Sequence, residues 1–282
     1  MAKKTNREYL RMPKINPSER HFVLVLIASI LIPLVRTLFK VVATGQEKLP
    51  KKGAYVLVSN HVTNVDALAM AYFVYVIMRR APHFLAKGSL FKVPVVGPAL
   101  RAAGQIPIYR GGQRNDEPLR AAHSYLDAGH CISIFPEGTL TRDPDLWPMR
   151  GKSGAVRLAL DTNVPVYPIA HWGSHHILET YGNKFRPGFW KKVDVTVGNE
   201  IDLTEFRNRK LSPDELRVAT EMVMVEITHL VEELRGEKAP EHRWSPEQSG
   251  QATHGNFKKG EARKVDIVKG EARKVDTEKG SK

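Results

Sequence analysis

Cysteine is almost absent from this chain of 282 residues, which contains only Cys131. A single cysteine excludes an intramolecular disulfide and a metal site built from several cysteines, and it fits a reducing compartment. The chain also lacks the long apolar segments of a polytopic membrane protein. An apolar run from Phe22 to Val35 has 14 residues and contains Pro33, whereas a spanning helix needs roughly 18 to 20.

Acidic residues are scarce relative to basic ones. There are 30 Asp and Glu against 43 Lys and Arg, which gives a formal net charge of +13. Such an excess favours an anionic partner, for example a phosphate-bearing ligand or an acidic lipid surface. Nucleic acid is not expected as a partner, because the chain has no RNP-like aromatic block, zinc-finger spacing or helix-turn-helix pattern.

The first 40 residues combine a basic start with the short apolar run, which is closed by Arg36. Because the run is too short to span a bilayer and has cations on both sides, we expect an amphipathic, monotopic helix facing the membrane. We therefore expect a peripheral or monotopic location on the cytoplasmic face of the membrane. A signal peptide is disfavoured, since no small-x-small cleavage site follows. The alternative is an ordinary helix docked on the protein core.

Between residues 41 and 235 short β-branched runs alternate with helical stretches. This alternation predicts an α/β domain with a mostly parallel central sheet flanked by helices. The predicted strands are Val41–Thr44, Tyr55–Ser59, His83–Ala86, Ile106–Tyr109, Cys131–Phe135, Val166–Ala170 and Val193–Val197. The predicted helices are Asp66–Met78, Pro98–Ala103, Pro118–Ala128, Ser153–Asp161 and Ser212–Leu234.

Residues 236–282 differ in character from the rest of the chain. The segment Lys259 to Asp266 recurs as Lys269 to Asp276, with a period of ten residues, many charges and almost no large apolar side chains. Two such copies cannot bury a core, so we expect a disordered charged tail.

A histidine and an aspartate follow the second predicted strand. His61 and Asp66 are five residues apart on a strand-to-helix loop. A loop of this kind can place the carboxylate against the imidazole, which fixes the tautomer and makes the ring a better proton acceptor. The spacing alone is weak, because a turn histidine and a helix-capping aspartate would look the same.

A second candidate segment, Phe135-Pro-Glu-Gly-Thr139, follows the apolar strand that begins at Cys131. Gly138 would let the backbone approach a ligand, and Thr139 with free amides could bond phosphate oxygens. Lys87 and Arg110 stand at the ends of two other strands, where cations could meet a phosphate. Arg142, Arg150 and Lys152 follow the Phe135–Thr139 segment and would also suit a phosphate. All of these could instead be ordinary surface charges.

Other catalytic patterns are missing or incomplete. No Gly-x-Ser-x-Gly elbow occurs, which disfavours a serine hydrolase. His171, His175 and His176 lack the glutamate of a His-Glu-x-x-His zinc site, so a turn or core role is expected for them.

Taken in order, four blocks between about residues 40 and 200 resemble the glycerolipid acyltransferase family, specifically the 1-acylglycerol-3-phosphate acyltransferases. They are the Asn-His-x4-Asp block (Asn60, His61, Asp66), a block from Gly104 to Arg110, the complete Phe135–Thr139 segment and the Val164–Pro168 run. Many members have an arginine directly after Thr139. This chain has Leu140 there, and Arg142 two residues later would supply that charge.

The resemblance implies a reaction and roles for these residues. His61, oriented by Asp66, would activate the sn-2 hydroxyl of lysophosphatidic acid for attack on an acyl thioester of coenzyme A or acyl carrier protein. Glu137 would order its loop or contact the polar head of the acceptor. The acceptor phosphate would be held by Lys87, Arg110, Gly138, Thr139 and Arg142.

No metal or other cofactor is expected for this reaction, since a thioester is already activated. Two alternatives remain open. One is a related acyltransferase that uses glycerol-3-phosphate or another lysophospholipid, and the other is a non-enzymatic, basic membrane-binding protein.

Overall fold

The computed structural model describes residues 18–108, 116–181, 184–186, 188–249 and 251. Its helices are α1 (Phe22–Leu38), α2 (Asp66–Tyr72), α3 (Val96–Ala102), α4 (Asp116–Asp127), α5 (Gly154–Asp161) and α6 (Pro213–Arg235). Its strands are β1 (Phe39–Thr44), β2 (Tyr55–Ser59), β3 (His83–Lys87), β4 (Ile106–Ile108), β5 (Cys131–Ile134), β6 (Val166–Trp172) and β7 (Lys191–Val197). A π-helix (Phe73–Ile77) continues α2, and short 3₁₀ turns cover Gln46–Lys48, Gly88–Lys92, Ser174–His176 and Thr204–Phe206.

The seven strands form one sheet in the order β1-β7-β6-β2-β5-β3-β4. The five strands from β6 to β4 run parallel, whereas β7 pairs antiparallel with β6 and parallel with β1. The predicted α/β class with a mostly parallel sheet is therefore confirmed. Each predicted strand is present within two residues of its expected ends, although Tyr109 lies outside the described residues.

Apolar layers cover both faces of the sheet. In β2, Val56 and Val58 pack with α4, α5 and α6 on one face, and Tyr55 and Leu57 pack with α2 on the other. A strand covered on both faces reads as a continuous apolar run, which is why β2 was recognisable in the sequence.

Helix α1 packs against the domain along one narrow side. Its buried side chains are Leu24, Ala28 and Val35, and much of its remaining surface is exposed and apolar. In the described part of the chain, no helix is both long enough and apolar enough to cross a membrane. That the exposed side of α1 faces a membrane stays a prediction.

At the amino-terminal edge of the sheet, the buried Arg80 pairs with the partly exposed Glu19 and holds the segment before α1 in place. The Arg80 Nε donates to Glu19 Oε1 over 2.7 Å, and the Ala81 amide donates to Glu19 Oε2 over 2.6 Å. Arg80 also donates to the carbonyls of Gly53 and Gly129. Glu19 thus connects the start of α1 to β3 and to the turn before β5.

The chain continues past α6 in contact with the domain. The Arg150 amide donates to the Trp244 carbonyl, and Arg243 pairs with Glu221 of α6 over 2.9 Å while Ser245 is buried. The segment 237–249, which the sequence assigns to the charged tail, thus lies against the domain. The repeats of the predicted tail lie outside the described residues.

Candidate active site

Loops after neighbouring parallel strands form the site at the carboxyl edge of the sheet. Strand β2 ends at Ser59 and leads into Asn60 and His61, and β5 ends at Ile134 and leads into the 135–139 segment. Since Val58 pairs with Ile134, the two loops leave the sheet side by side. This is the edge at which α/β proteins place their ligands.

The imidazole of His61 lies directly against the carboxylate of Asp66. The Nδ1–Oδ2 distance is 3.0 Å, and the ring stacks on Phe135 with centroids 4.1 Å apart. The Asp66 side chain is fully buried, whereas 17% of the His61 side chain remains exposed. One end of the imidazole is therefore held by a buried carboxylate while the ring keeps some access from outside.

Asp66 accepts several hydrogen bonds from its own loop. Its Oδ2 receives the Val62 and Thr63 amides over 2.6 and 2.8 Å, and its Oδ1 receives the Thr63 hydroxyl over 3.0 Å. Burial by itself would raise the pKa of Asp66, but the imidazoles of His171 and His61 outweigh it and hold the pKa well below its ordinary value.

The ionised carboxylate decides the tautomer of His61. A carboxylate can only accept, so Nδ1 of His61 must carry the hydrogen and Nε2 must present a lone pair. The arrangement can therefore take a proton at Nε2 while Asp66 stabilises the resulting imidazolium.

A second histidine, His171, lies behind the pair near the end of β6. Its Nε2 donates to the Asn60 carbonyl over 2.7 Å and is 3.5 Å from Asp66 Oδ2. The Asn60 side chain completes the connection, since it accepts from the His171 amide and donates to the His171 carbonyl. These bonds fasten the start of the His61 loop to the neighbouring strand.

Glu137 connects the two loops and is buried. Its Oε1 accepts from the His61 amide over 2.9 Å, and its Oε2 accepts from the Met149 amide over 3.1 Å. The His61 carbonyl in turn accepts from the Thr141 amide. Burial raises the pKa of Glu137 to about 8, although the two amide bonds act in the opposite direction. Of its two predicted roles, the geometry gives Glu137 the ordering of its loop.

Gly138 marks the tightest point of the 135–139 segment. Its φ of 69° lies in the left-handed region, and a Cβ there would approach Cδ and Nζ of Lys152 to 3.1 Å. The Lys152 amide donates to the Pro136 carbonyl over 2.8 Å. Glycine therefore allows a lysine to lie over this turn, beside the half-buried Thr139.

The predicted phosphate-binding cations have different placements. Arg142 is buried, and its Cζ lies 5.7 Å from the ring centre of Tyr181, whose hydroxyl donates to the Leu140 carbonyl. Lys87 is exposed at the carboxyl end of β3, two strands from β2. Arg110 lies outside the described residues, two positions after β4 ends at the same edge.

Known proteins are similar to this chain over the region that holds the site. The family model described as Acyltransferase matches residues 40–172, which include both loops. The chloroplastic 1-acyl-sn-glycerol-3-phosphate acyltransferase BAT2 of Brassica napus is 32% identical over 162 residues, covering 57% of this chain and 44% of that protein. The 1-acyl-sn-glycerol-3-phosphate acyltransferase of Borreliella burgdorferi is 30% identical over 141 residues, covering 49% of this chain and 53% of that protein.

Residues 40–172 of this chain are thus similar to the acyltransferase family. The chain spans about half the length of the curated relatives that it matches. The fold of the chain is also similar to that of a solved protein, the 1-acyl-sn-glycerophosphate (LPA) acyltransferase PlsC from Thermotoga maritima. The two share 27% identity and a TM-score of 0.55, over 79% of this chain and 80% of that chain.

The core role expected for His171 is confirmed, because its side chain is fully buried. The sequence did not predict its contacts with Asn60 and Asp66. One signal was available, because His171 follows the predicted strand directly, at the edge where ligands bind. In the sequence, Asn60 stands out only as part of the Asn-His-x4-Asp block. Its three hydrogen bonds to His171 show that it connects the His61 loop to β6.

Proposed function

We propose that this protein transfers an acyl group from a thioester to the sn-2 hydroxyl of 1-acylglycerol-3-phosphate, which yields phosphatidic acid for phospholipid synthesis. The observation that carries the proposal is the His61–Asp66 pair, with its bond of 3.0 Å to a buried carboxylate. The names of the similar proteins, which are 1-acyl-sn-glycerol-3-phosphate acyltransferases, support this acceptor.

In the proposed reaction the substrate hydroxyl is the nucleophile. Nε2 of His61 takes its proton as the oxygen forms a bond to the thioester carbonyl carbon. The tetrahedral intermediate then expels the thiolate, which recovers the proton from His61. Asp66 stabilises the imidazolium between these two steps, and no covalent acyl-enzyme forms.

Cations around the carboxyl edge would hold the acceptor phosphate. Arg110 and Lys87 follow or end strands that terminate at this edge, and Lys152 lies over Gly138. We propose that these cations, the amides near Gly138 and Thr139 and, if its loop opens, Arg142 bind the phosphate. The donor is the thioester of coenzyme A or acyl carrier protein, and we propose no metal or other cofactor.

The exposed apolar side of α1 would place the enzyme on its substrate's bilayer. Phe22, Leu26 and Ile30 are largely exposed, and Arg36 and Lys40 follow them. We propose a peripheral or monotopic position on the cytoplasmic face of an anionic membrane, which is where a lysophosphatidic acid acceptor resides.

Replacing the proposed base tests the reaction directly. His61→Ala should lower turnover with lysophosphatidic acid and an acyl thioester roughly 10²–10⁴-fold, while circular dichroism shows an intact fold. The matched control is His123→Ala, because His123 lies 3.8 Å from the carboxylate of Asp161 on the exposed surface. Near-normal transfer by the His61 variant would refute the proposal.

A panel of acceptors tests the substrate. With one thioester donor, 1-acylglycerol-3-phosphate should react faster than glycerol-3-phosphate and lysophosphatidylcholine. Arg110→Ala should raise the KM for lysophosphatidic acid more than it changes kcat, because its charge serves binding. A preference for another acceptor would show that the proposed substrate is wrong. It would leave the proposed role of His61 in acyl transfer unchanged.

A further inference from the structure

The loop between β6 and β7 carries three exposed aromatic side chains, Phe185, Phe189 and Trp190. Phe189 is 83% and Trp190 is 74% exposed. We call residues 188–190, at the end of this loop, the aromatic turn. Burial of two large rings would be strongly favourable, so adjacent exposed rings indicate a surface that meets an apolar environment in use.

The backbone of the aromatic turn adds to this indication. Trp190 has a φ of 55°, in the left-handed region that bulky residues rarely occupy. A glycine or asparagine would adopt this conformation at a lower cost in free energy. A tryptophan that is both exposed and in this conformation is therefore unfavourable for the isolated fold.

The aromatic turn extends the exposed apolar side of α1. The Trp190 amide donates to the Thr37 carbonyl over 3.4 Å, and Lys191 pairs with Phe39, the residue directly after α1. Thr37 is exposed and lies seven residues after Ile30, so the two share one side of the helix. The aromatic turn thus lies at the carboxyl end of the helix side that carries Ile30.

This combined surface lies at the edge of the sheet that holds His61. Strand β7 runs antiparallel to β6, so it begins where β6 ends, at the carboxyl edge. The loop that leads to the turn also contacts the active site, because the Tyr181 hydroxyl donates to the Leu140 carbonyl. A partner bound to the aromatic turn would therefore lie at the same edge of the sheet as His61.

The charges around the aromatic turn indicate what kind of partner it binds. Lys40, Lys184, Arg186 and Lys192 are exposed on the loop or on the adjoining strands. The nearby acids Glu179 and Asp194 pair with Arg186 and Lys192, and they leave an excess of positive charge. Aromatic rings bordered by cations match the interface of an anionic bilayer, where tryptophan prefers to lie and each cation gains from the surface potential.

We propose that the aromatic turn inserts into the headgroup region of an anionic bilayer as a second contact beside α1. Two contacts on one side fix the rotation of the domain about α1, which a single helix lying in the interface would leave free. The carboxyl edge then faces the lipid, and an acceptor can pass from the bilayer to His61. Only this last consequence rests on the proposed function.

A vesicle-binding experiment without any thioester tests the contact. Cosedimentation of the full chain with phosphatidylcholine vesicles, with and without phosphatidylglycerol, should show binding that requires the anionic lipid. The double variant Phe189→Ser/Trp190→Ser should weaken that binding by at least about tenfold. Val218→Ser, which removes an exposed apolar side chain from α6, should bind as the wild type does.

Tryptophan fluorescence locates the contact at the turn itself. Trp190 is highly exposed, whereas Trp147 is buried and Trp172 and Trp244 are half-buried. Anionic vesicles should therefore shift the emission of the wild type to the blue. The Trp190→Phe variant should lose the shift and keep the binding, because phenylalanine retains the apolar ring.

Three outcomes would overturn the proposal. They are equal binding by the double variant, a blue shift that survives in Trp190→Phe, and a solution dimer that the double variant dissociates, since the surface would then bind a second copy. A chain that binds vesicles through the turn but transfers no acyl group refutes the proposed function alone. A chain that transfers acyl groups to dispersed short-chain acceptors but ignores vesicles refutes this contact alone.

Discussion

Two glutamates, one at each edge of the sheet, make similar hydrogen bonds, but their pKa values are shifted in opposite directions. At the amino edge Glu19 accepts the Ala81 amide, and at the carboxyl edge Glu137 accepts the amides of His61 and Met149. Despite its burial, bonds from His130, Ala81 and Arg80 lower the pKa of Glu19 to about 2. Burial raises the pKa of Glu137 to about 8.

The difference shows that a guanidinium helps to hold a partly buried carboxyl group in its charged form. Glu19 has the Arg80 guanidinium at 2.7 Å, whereas the groups that hold Glu137 are two neutral amides. Because the pKa of Glu137 is raised and that of Asp66 is lowered, Asp66 is the carboxyl group beside His61 that more readily carries the negative charge. The imidazole then carries its hydrogen on the side of Asp66, which is the orientation that the proposed reaction requires.

The largest effect is expected when the charge of Asp66 is removed. Asp66→Asn keeps the shape of the side chain but can turn its amide toward Nδ1 of His61, which disfavours the required tautomer. The kcat should fall roughly 10²–10⁴-fold with a small change in KM, as steady-state kinetics can measure. Asp161→Asn is the control, because Asp161 lies beside His123 on the surface. Unchanged turnover would remove Asp66 from the mechanism.

Loss of the cation at the amino edge should have the next largest effect. Arg80→Met leaves Glu19 without its guanidinium and leaves the Gly53 and Gly129 carbonyls without that donor. The free energy of unfolding in urea should fall by about 2–4 kcal/mol. Arg79→Met replaces the exposed neighbouring arginine and should change stability little. Equal stability of the two variants would contradict the importance of the ion pair.

Glu137→Gln should have a smaller effect, because the residue it replaces is largely neutral. The glutamine keeps one carbonyl oxygen, but its NH₂ group then faces one of the two backbone amides, His61 or Met149. Stability should fall by about 1–3 kcal/mol, and kcat should fall more than KM rises, because the His61 backbone loses its support. The control is Glu205→Gln at an exposed position. A variant with a greatly raised KM and normal stability would place Glu137 in contact with the acceptor.

The sequence predicted those features that depend on local pattern. Strand β2 is recognisable because both of its faces are apolar, and the loop after it carries His61 and Asp66 within six residues. The partners of these elements come from far along the chain. Arg80 meets Glu19 across 61 residues, and His171 meets Asn60 across 111 residues. Spacing along a chain carries no information on such pairs, since the order of strands in the sheet brings them together.

The exposure of the aromatic turn is another feature that could not be predicted from local sequence pattern. No sequence pattern singled out Phe189 and Trp190, whereas the structure shows that both side chains are exposed. Helix α2 shows a milder case. Its apolar pattern predicted one helix to Met78, and the structure changes to a π-helix over Phe73–Ile77.

The smallest expected effects concern how the free energy of unfolding changes with pH. These changes are also the most direct test of the difference between the two glutamates. Glu19 has a lowered pKa, so its contribution is complete above about pH 4.5, its ordinary value, and is lost as the pH falls toward 2. Glu137 has a raised pKa, so the folded protein holds its proton more tightly, and stability is lost as the pH rises from 4.5 to about 8. The stability advantage of the wild type over Glu19→Gln should therefore shrink in acid. Its advantage over Glu137→Gln should shrink in base. Urea unfolding of the three proteins at several pH values measures both slopes, and slopes of the same sign would show that Arg80 is not what separates the two carboxyl groups.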